Sequence, residues 1–167
     1  CIYFTDPWTS PAAPEQWDLT FSGVYRITPD LGTMSLLIGD FVVPNGLAFS
    51  PDETVLYIND SRRGHIRAFD LMPNGTLAKQ TDRVFADLRG SEPGVPDGMK
   101  VDSAGNVYCG GAGGIWIMDP TGKVMEKAGA VRDGGSFEDR MGKVACWNSV
   151  MDEDRYMVRR WNEFIAA

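Results

Sequence analysis

Residues 46–75 read GLAFSPDETVLYINDSRRGHIRAFDLMPNG, and the fold class can be predicted from this segment. It contains short apolar runs, rich in Val, Ile, Leu, Tyr and Phe, which are separated by Ser, Pro, Asp, Asn and Gly. Runs of this length with turn residues between them are typical of β-strands in an all-β domain. The closing Asn74-Gly75 pair predicts a tight hairpin turn. The stretch therefore predicts an antiparallel sheet of short strands.

The same cassette returns at Gly98, which lies 52 positions after Gly46. An earlier copy supplies Ile2–Thr5 and Gly23–Ile27 but lacks the innermost strand, so we expect the chain to begin inside a repeat. A repeat of about four strands with an Asn-Gly-like turn is the signature of a β-propeller blade. Blades stack around an axis to bury both faces, and three blades do not close a ring. The sequence therefore predicts a partial propeller of about three blades over residues 1–130.

The apolar runs predict eleven strands in these repeats, and helical periodicity is almost absent before residue 150. The predicted strands are Ile2–Thr5, Val24–Thr28, Met34–Ile38, Gly46–Phe49, Val55–Ile58, Ile66–Leu71, Arg83–Ala86, Met99–Val101, Val107–Cys109, Ile115–Met118 and Val124–Ala128. Residues that favour turns fill the gaps between them. The predicted fold class is all-β.

Residues 131–167 differ from the repeats. A glycine-rich, charged passage is followed by Met151 to Ala167, where Met157, Trp161 and Phe164 recur at the spacing of one helix face. We predict a divergent C-terminal tail with an amphipathic helix that packs its apolar stripe on the sheet. A helix that binds a membrane or a partner is the alternative.

The charge balance bounds the partners of the chain. The 167 residues carry a formal net charge of −7, from 23 acidic and 16 basic residues. This offers no basic face for phosphates, so nucleic acid is not expected as a partner, and metal cations suit the balance better. No stretch approaches the roughly 20 apolar residues that span a bilayer, so no membrane partner is expected.

Cysteine usage bears on the compartment. Cys1, Cys109 and Cys146 are widely spaced and are accompanied by one histidine, His65, so we expect free thiols rather than a disulfide framework or a cysteine-based zinc site. The first residues also lack the basic start and apolar run of a signal peptide. We therefore expect a cytoplasmic protein.

Two related segments combine a polar residue with glycine just before an inner strand: Pro44-Asn45-Gly46 and Pro96-Asp97-Gly98. If inner strands line a central channel, Asn45 and Asp97 project from adjacent blades toward its mouth. Asp6 ends a strand of the preceding blade and could add a third oxygen donor. Converging oxygens suit Ca²⁺, which takes six to eight oxygen ligands. The alternative is that both segments are ordinary turns, since Pro, Asn, Asp and Gly favour turns.

The stretch from Tyr3 to about Lys127 resembles the family of gluconolactonase, senescence marker protein (regucalcin) and luciferin-regenerating enzyme. The motifs that carry the resemblance are YFTDP at 3–7, GVYR at 23–26, PNGLAFSPD at 44–52, LYINDS at 56–61, PDGMKVD at 96–102 and GNVY at 105–108. Members of that family are six-bladed propellers, so the resemblance implies the same fold for a partial chain.

The resemblance also implies a metal site. Family members hold one divalent cation, commonly calcium, through a glutamate, an asparagine and an aspartate, and the last two correspond to Asn45 and Asp97. Zn²⁺ and Mg²⁺ are the alternatives to calcium. Asp6 lies where some bacterial lactonases place another pocket carboxylate. No Glu-Gly-Pro segment precedes Tyr3, and the tail from Ser136 lacks the Asn-x-x-Phe-Gly-Gly segment of the family.

These observations lead to a functional hypothesis: a calcium-dependent hydrolase of sugar-acid lactones, with a metal-activated water attacking the lactone carbonyl. Asp97 is the first choice for the general base and Asp6 the second. One alternative is a catalytically inactive propeller fragment that acts as a binding module, with self-association through open blade edges. Another is a related hydrolase of organophosphates.

Overall fold

The computed structural model describes residues 1–8 and 19–129 of the chain, and in them eleven β-strands form three antiparallel sheets without a helix. The first sheet contains β1 (Ile2–Asp6), β2 (Gly23–Ile27) and β3 (Met34–Ile38). The second contains β4 (Pro44–Phe49), β5 (Val55–Asp60), β6 (His65–Leu71) and β7 (Leu77–Asp87). The third contains β8 (Met99–Val101), β9 (Val107–Gly111), β10 (Gly114–Met118) and β11 (Val124–Gly129).

Each sheet follows chain order, so consecutive strands pair as hairpins. The second and third sheets repeat the same four-stranded meander, with β4 and β8 as their first strands. Strand β1 lies beside β4, and β4 lies beside β8, so the first strands of the three sheets are neighbours. The all-β fold built from propeller-type repeats is confirmed. The predicted helix and the rest of the tail, 131–167, lie outside the described residues.

The apolar runs form strands because the second sheet buries both of its faces. Leu56 and Ile58 of β5 pack in a core shared with Val24 and Leu37 of the first sheet. Tyr57, which alternation places on the opposite face, packs in a second core with residues of the third sheet. An unbroken apolar run is what a strand buried on both faces requires.

Strand boundaries agree with the sequence prediction to within two residues except at β7. The prediction began that strand at Arg83, whereas the strand extends from Leu77 to Asp87. Residues 79–82 are polar and have no partner in the β6–β7 register, but the Asp70–Ala78 and Ala68–Arg83 pairs on either side of them belong to one strand. The predicted hairpin at Asn74-Gly75 is confirmed, with Gly75 at φ +76°.

Candidate functional site

The segment that contains Asn45 is a bulge inside a strand. Pro44 pairs with Asp60 and Leu47 pairs with Ile58, so Asn45 and Gly46 together lie opposite Asn59. A bulge of this kind bends the strand and redirects its side chains, and bulges are common beside active sites. The alternative that this segment is an ordinary turn is therefore wrong. The sequence prediction had also started β4 two residues late, at Gly46.

The segment that contains Asp97 has a different local structure. Pro96, Asp97 and Gly98 belong to neither a strand nor a hydrogen-bonded turn, and they lead directly into β8. The Gly110 amide donates to the Gly98 carbonyl at 3.3 Å, which continues the β8–β9 pairing toward this segment. The turn alternative therefore fails here as well.

The side chain of Asn59 connects the two segments. It is fully buried, its Oδ1 accepts a hydrogen bond from the Gly46 amide at 3.2 Å, and its Nδ2 donates to the Asp97 carbonyl oxygen at 2.5 Å. The segments are in close contact at this point, because a Cβ added to Gly46 would overlap the Asp97 carbonyl oxygen and lie 2.8 Å from Asn59 Nδ2. Asn59 thus joins the Asn45 segment of the second sheet to the Asp97 segment of the third.

Ser61 makes a second connection just beyond the end of β5. Asn45 Nδ2 donates to Ser61 Oγ at 3.2 Å, and Ser61 Oγ donates to the Pro96 carbonyl oxygen at 2.5 Å. This bond orients the amide of Asn45 and leaves its Oδ1 without a hydrogen-bond partner among the described residues.

Asp97 presents an exposed carboxylate on a fixed main chain. The Asp97 amide bonds to the thiol of Cys109, and Asn59 Nδ2 lies 3.4 Å from the same sulfur. Burial raises the pKa of Cys109 to about 11, so the thiol stays protonated at neutral pH. The carboxylate of Asp97 has no hydrogen bond or ion pair within the described ranges. It is therefore open to a cation.

Asp6 is the last residue of β1 and is exposed. The residue before it, Thr5, donates from Oγ1 to the Asn45 carbonyl oxygen at 2.8 Å and so ties β1 to the bulge. Burial, and then the charge of Asp6, raise the pKa of Tyr25 on the neighbouring strand. The structure therefore brings the main chains at Asn45 and Asp97 together and places Asp6 on the strand next to Asn45.

The oxygen atoms at this site suit a hard cation. Among residues 1–8 and 19–129, there is no cluster of three or more His, Cys, Asp and Glu side chains placed to hold a metal. What the two joined segments offer instead is one free amide oxygen, from Asn45, and one free carboxylate, from Asp97. An amide and a carboxylate are acceptable calcium ligands, and water commonly completes the coordination. The donor set thus fits calcium as part of a larger set of ligands.

Sequence reasoning gave no role to Thr5, Asn59, Ser61 or Cys109. One signal was present, since Asn59-Asp60 ends the apolar run of β5 and both side chains are fully buried. A buried polar side chain needs hydrogen-bond partners. Which partners it finds depends on the docking of the next sheet, and no local pattern reveals that.

Comparison with known proteins assigns the chain to a family. The family model described as the SMP-30/Gluconolactonase/LRE-like region matches residues 1–130. The chain belongs to this family. Its segments 44–46 and 96–98 both lie within the region that the family model matches.

Curated relatives of this SMP-30/gluconolactonase-like chain include lactone hydrolases. It is 36% identical over 134 residues to a gluconolactonase of Zymomonas mobilis subsp. mobilis, covering 74% of this chain and 37% of the relative. It is 30% identical over 138 residues to a lactonohydrolase of Aspergillus oryzae, covering 68% of this chain and 28% of the relative. The chain thus spans little more than a third of the length of these relatives, or less.

Solved structures give the same assignment of fold. A gluconolactonase from Xanthomonas campestris aligns with a TM-score of 0.65 and 31% identity, over 77% of this chain and 43% of that one. A calcium-binding regucalcin from Agrobacterium tumefaciens aligns with a TM-score of 0.55 and 25% identity, over 64% and 36% of the two chains. The prediction of a partial propeller of the lactonase type is confirmed. Within the described ranges, no helix is long and apolar enough to cross a membrane.

Proposed function

We propose that this chain carries part of the active site of a calcium-dependent lactonase that hydrolyses sugar-acid lactones, with Asn45 and Asp97 as metal ligands. One observation carries the proposal: a free amide oxygen and a free carboxylate belong to two segments that are joined directly through Asn59. Lactone hydrolysis in the named relatives supports the reaction class. The regucalcin neighbour, which is a calcium-binding protein, supports the choice of metal.

The residues of the chain divide the work in this proposal. Asn45 contributes its Oδ1 as a neutral ligand, because its Nδ2 is engaged by Ser61. Asp97 contributes a carboxylate. These two residues would supply part of the coordination sphere of the cation, and water and groups outside the two segments would supply the rest. Zn²⁺ or Mg²⁺ would compete for the same oxygens, but Mg²⁺ demands a stricter octahedral geometry.

The reaction itself is the addition of water across the ring ester. When bound, calcium supplies Lewis acidity that polarises the lactone carbonyl and acidifies a neighbouring water. The Asp97 carboxylate accepts the proton of the attacking water, with Asp6 as the second candidate for this role. Water oxygen bonds to the carbonyl carbon, the ring C–O bond breaks, and the proton passes to the departing alkoxide. The product is the open-chain hydroxy acid.

Calcium titration by isothermal calorimetry tests the metal site. We expect the wild-type chain to bind Ca²⁺ and Asp97→Asn to weaken binding by about tenfold or more, because one ligand charge is lost. Glu53→Gln is the matched control, because it also removes one exposed carboxylate. Glu53 lies in the turn before β5, roughly 20 Å from the site at the other end of that strand. Absence of calcium binding by the wild type, or equal affinities for wild type and Asp97→Asn, would overturn the proposal.

Substrate class is tested by activity assays with calcium present. Hydrolysis of a gluconolactone above the uncatalysed rate, without hydrolysis of a phosphotriester, supports the lactonase. The opposite result favours the organophosphate hydrolase, and no turnover of either, with intact calcium binding, favours an inactive binding module.

The proposal extends to organisation and location. We propose that residues 1–130 form the partial propeller and 131–167 a divergent C-terminal tail with an amphipathic helix, and that the protein is cytoplasmic. The free thiols of Cys1 and Cys109 support a reducing compartment, while Cys146 lies outside the described part of the chain.

A further inference from the structure

The same kind of hydrogen bond occurs at both junctions between sheets. Thr5 is the residue before the end of β1, and Asn59 is the residue before the end of β5. Thr5 donates to the Asn45 carbonyl oxygen, and Asn59 donates to the Asp97 carbonyl oxygen. Each donor therefore holds the main chain of the candidate ligand in the following sheet. The repeat of one device at two junctions indicates more than a single accidental contact.

Strand alternation explains why these side chains reach the next sheet. In β5, Tyr57 packs in the core shared with the third sheet, and Asn59, two residues later, lies on the same face. In β1, Tyr3 packs against the core shared with the second sheet, and Thr5 follows it at the same spacing. Each strand thus carries an aromatic residue that packs between the two sheets and, two residues later, a side chain that donates a hydrogen bond to the next sheet.

We propose that Asn59 is a positioning residue that sets the separation between Asn45 and Asp97, and that Thr5 positions Asn45 from the other side. This inference rests on the proposed function, because it assigns a role in holding the two candidate calcium ligands. The hydrogen bonds of Asn59 to these two segments go to main-chain atoms, the Gly46 amide and the Asp97 carbonyl oxygen, so Asn59 acts through the main chain.

Two physical features make Asn59 suited to this role. Its side chain is fully buried, so its hydrogen bonds lie in a medium of low dielectric constant where they are strong and costly to leave unmade. Its amide group is planar, so the acceptor that binds Gly46 and the donor that binds Asp97 are held in one fixed geometry. A shift of either segment would misplace an oxygen ligand, and residues that support metal ligands in this way affect metal affinity strongly.

The test compares two substitutions that have nearly the same shape. Asn59→Thr keeps a hydroxyl that can donate to the Asp97 carbonyl oxygen, as Thr5 does to Asn45, whereas Asn59→Val differs from it only by replacing the hydroxyl with a methyl group. We expect Asn59→Val to bind Ca²⁺ about tenfold more weakly than Asn59→Thr in calorimetric titration of the folded protein. A purely structural role would change the unfolding temperature and leave the calcium affinity of the folded chain equal in the two variants.

The outcomes separate this inference from the proposed function. If the wild type binds Ca²⁺ and Asn59→Val binds it equally well, the positioning role is wrong and the metal site stands. If the wild type binds no Ca²⁺, the proposed function fails, and the positioning role is judged from the amide nitrogen resonance of Gly98 in the metal-free chain. That nitrogen shares a peptide group with the Asp97 carbonyl, so it is expected to shift in Asn59→Val and much less in Asn59→Thr. Equal shifts overturn the inference.

A second variant covers the case in which Asn59→Val does not fold. Thr5→Val removes the hydroxyl that binds the Asn45 carbonyl oxygen and keeps the shape of a residue that is only half-buried. We expect weaker Ca²⁺ binding than in the wild type, by a smaller factor than for Asn59→Val. Unchanged calcium affinity would contradict the positioning role at this junction.

Discussion

The Pro44-Asn45-Gly46 and Pro96-Asp97-Gly98 segments have nearly the same sequence and different surroundings. Gly46 is crowded, since an added Cβ would overlap the Asp97 carbonyl oxygen and lie 3.1 Å from Met99 Cβ. Gly98 has open space at the same point, with no heavy atom of the described chain within 4 Å of an added Cβ. Because the two segments also differ in local structure, it is the neighbouring sheet, and not the repeated motif, that makes Gly46 intolerant of a side chain.

The strands that follow these segments differ in the same way. In the second sheet, β5 ends in Asn59-Asp60 and is followed by Ser61. Asn59 and Ser61 make hydrogen bonds across the site, and Asp60 accepts one from the Val42 amide. In the third sheet, the corresponding positions after Cys109 are Gly110, Gly111 and Ala112. The polar set is thus present at one junction and replaced by small residues in the next repeat.

The largest expected effect comes from Gly46→Ala, with Gly98→Ala as its matched control. At Gly46 the new methyl group forces apart the main chains of two sheets, so we expect about 2–3 kcal/mol of destabilisation, in the range for overpacking. At Gly98 we expect a change within about 0.5 kcal/mol. Chemical denaturation of both variants measures the difference. Equal stabilities would show that the contact between Gly46 and Asp97 is not tight.

Asp60→Asn should cause the next largest loss of stability, and the size of this loss should depend on pH. The buried carboxylate of Asp60 accepts hydrogen bonds from four amides, those of Val42, Val43, Arg62 and Arg63. We expect the substitution to cost about 2 kcal/mol at pH 7, since hydrogen bonds to a charged group contribute more than neutral ones. The stability of both proteins is measured by urea denaturation across pH.

The sign of the pH dependence follows from the pKa of Asp60. Burial alone would raise this pKa, but the amide hydrogen bonds outweigh burial, and the folded-state pKa lies below its ordinary value. The stabilisation is therefore present above the unfolded-state pKa of about 3.9 and is lost as pH falls through the folded-state value. The gap between wild type and Asp60→Asn should narrow below about pH 4. A constant gap from pH 7 to pH 2 would contradict this account.

Ser61→Ala should have the smallest effect. It gives the second sheet the residue that the third sheet has at Ala112, and it removes the hydrogen bonds to Asn45 and Pro96. We expect about 1 kcal/mol of destabilisation, because Ser61 is half-buried and water can replace part of the loss. Thermal unfolding measures the change, and Ser103→Ala in an exposed turn is the control. A loss of stability as large as that of Gly46→Ala would contradict the expectation that the Ser61 hydrogen bonds contribute less than the close contact at Gly46.

The sequence predicted the strands well where burial decides them. The run Leu56-Tyr57-Ile58 is apolar because both faces of β5 are covered, and such runs are recognisable without coordinates. The start of β7 was missed because residues 79–82 are polar, whereas Leu77 and Ala78 before them pair with β6 and extend the strand.

The candidate site was less predictable than the fold. Asn45 and Asp97 stood out because their motifs repeat before corresponding strands. The bulge at Asn45-Gly46 depends on the register between β4 and β5, and the bonds of Asn59 depend on how two sheets dock. Neither of these relations lies within a short window of sequence, so the supporting residues could not be assigned from pattern alone.

The hydrogen bonds of Asn59 to the segments that carry Asn45 and Asp97 are made to main-chain atoms. Its hold on them is therefore indifferent to the side chains at positions 45 and 97. We therefore expect the Asn59 hydrogen bonds to remain when positions 45 and 97 carry other oxygen or nitrogen donors, although replacing Asn45 removes its bond to Ser61. Substitutions at positions 45 and 97 are therefore a way to change which metal ion the junction prefers.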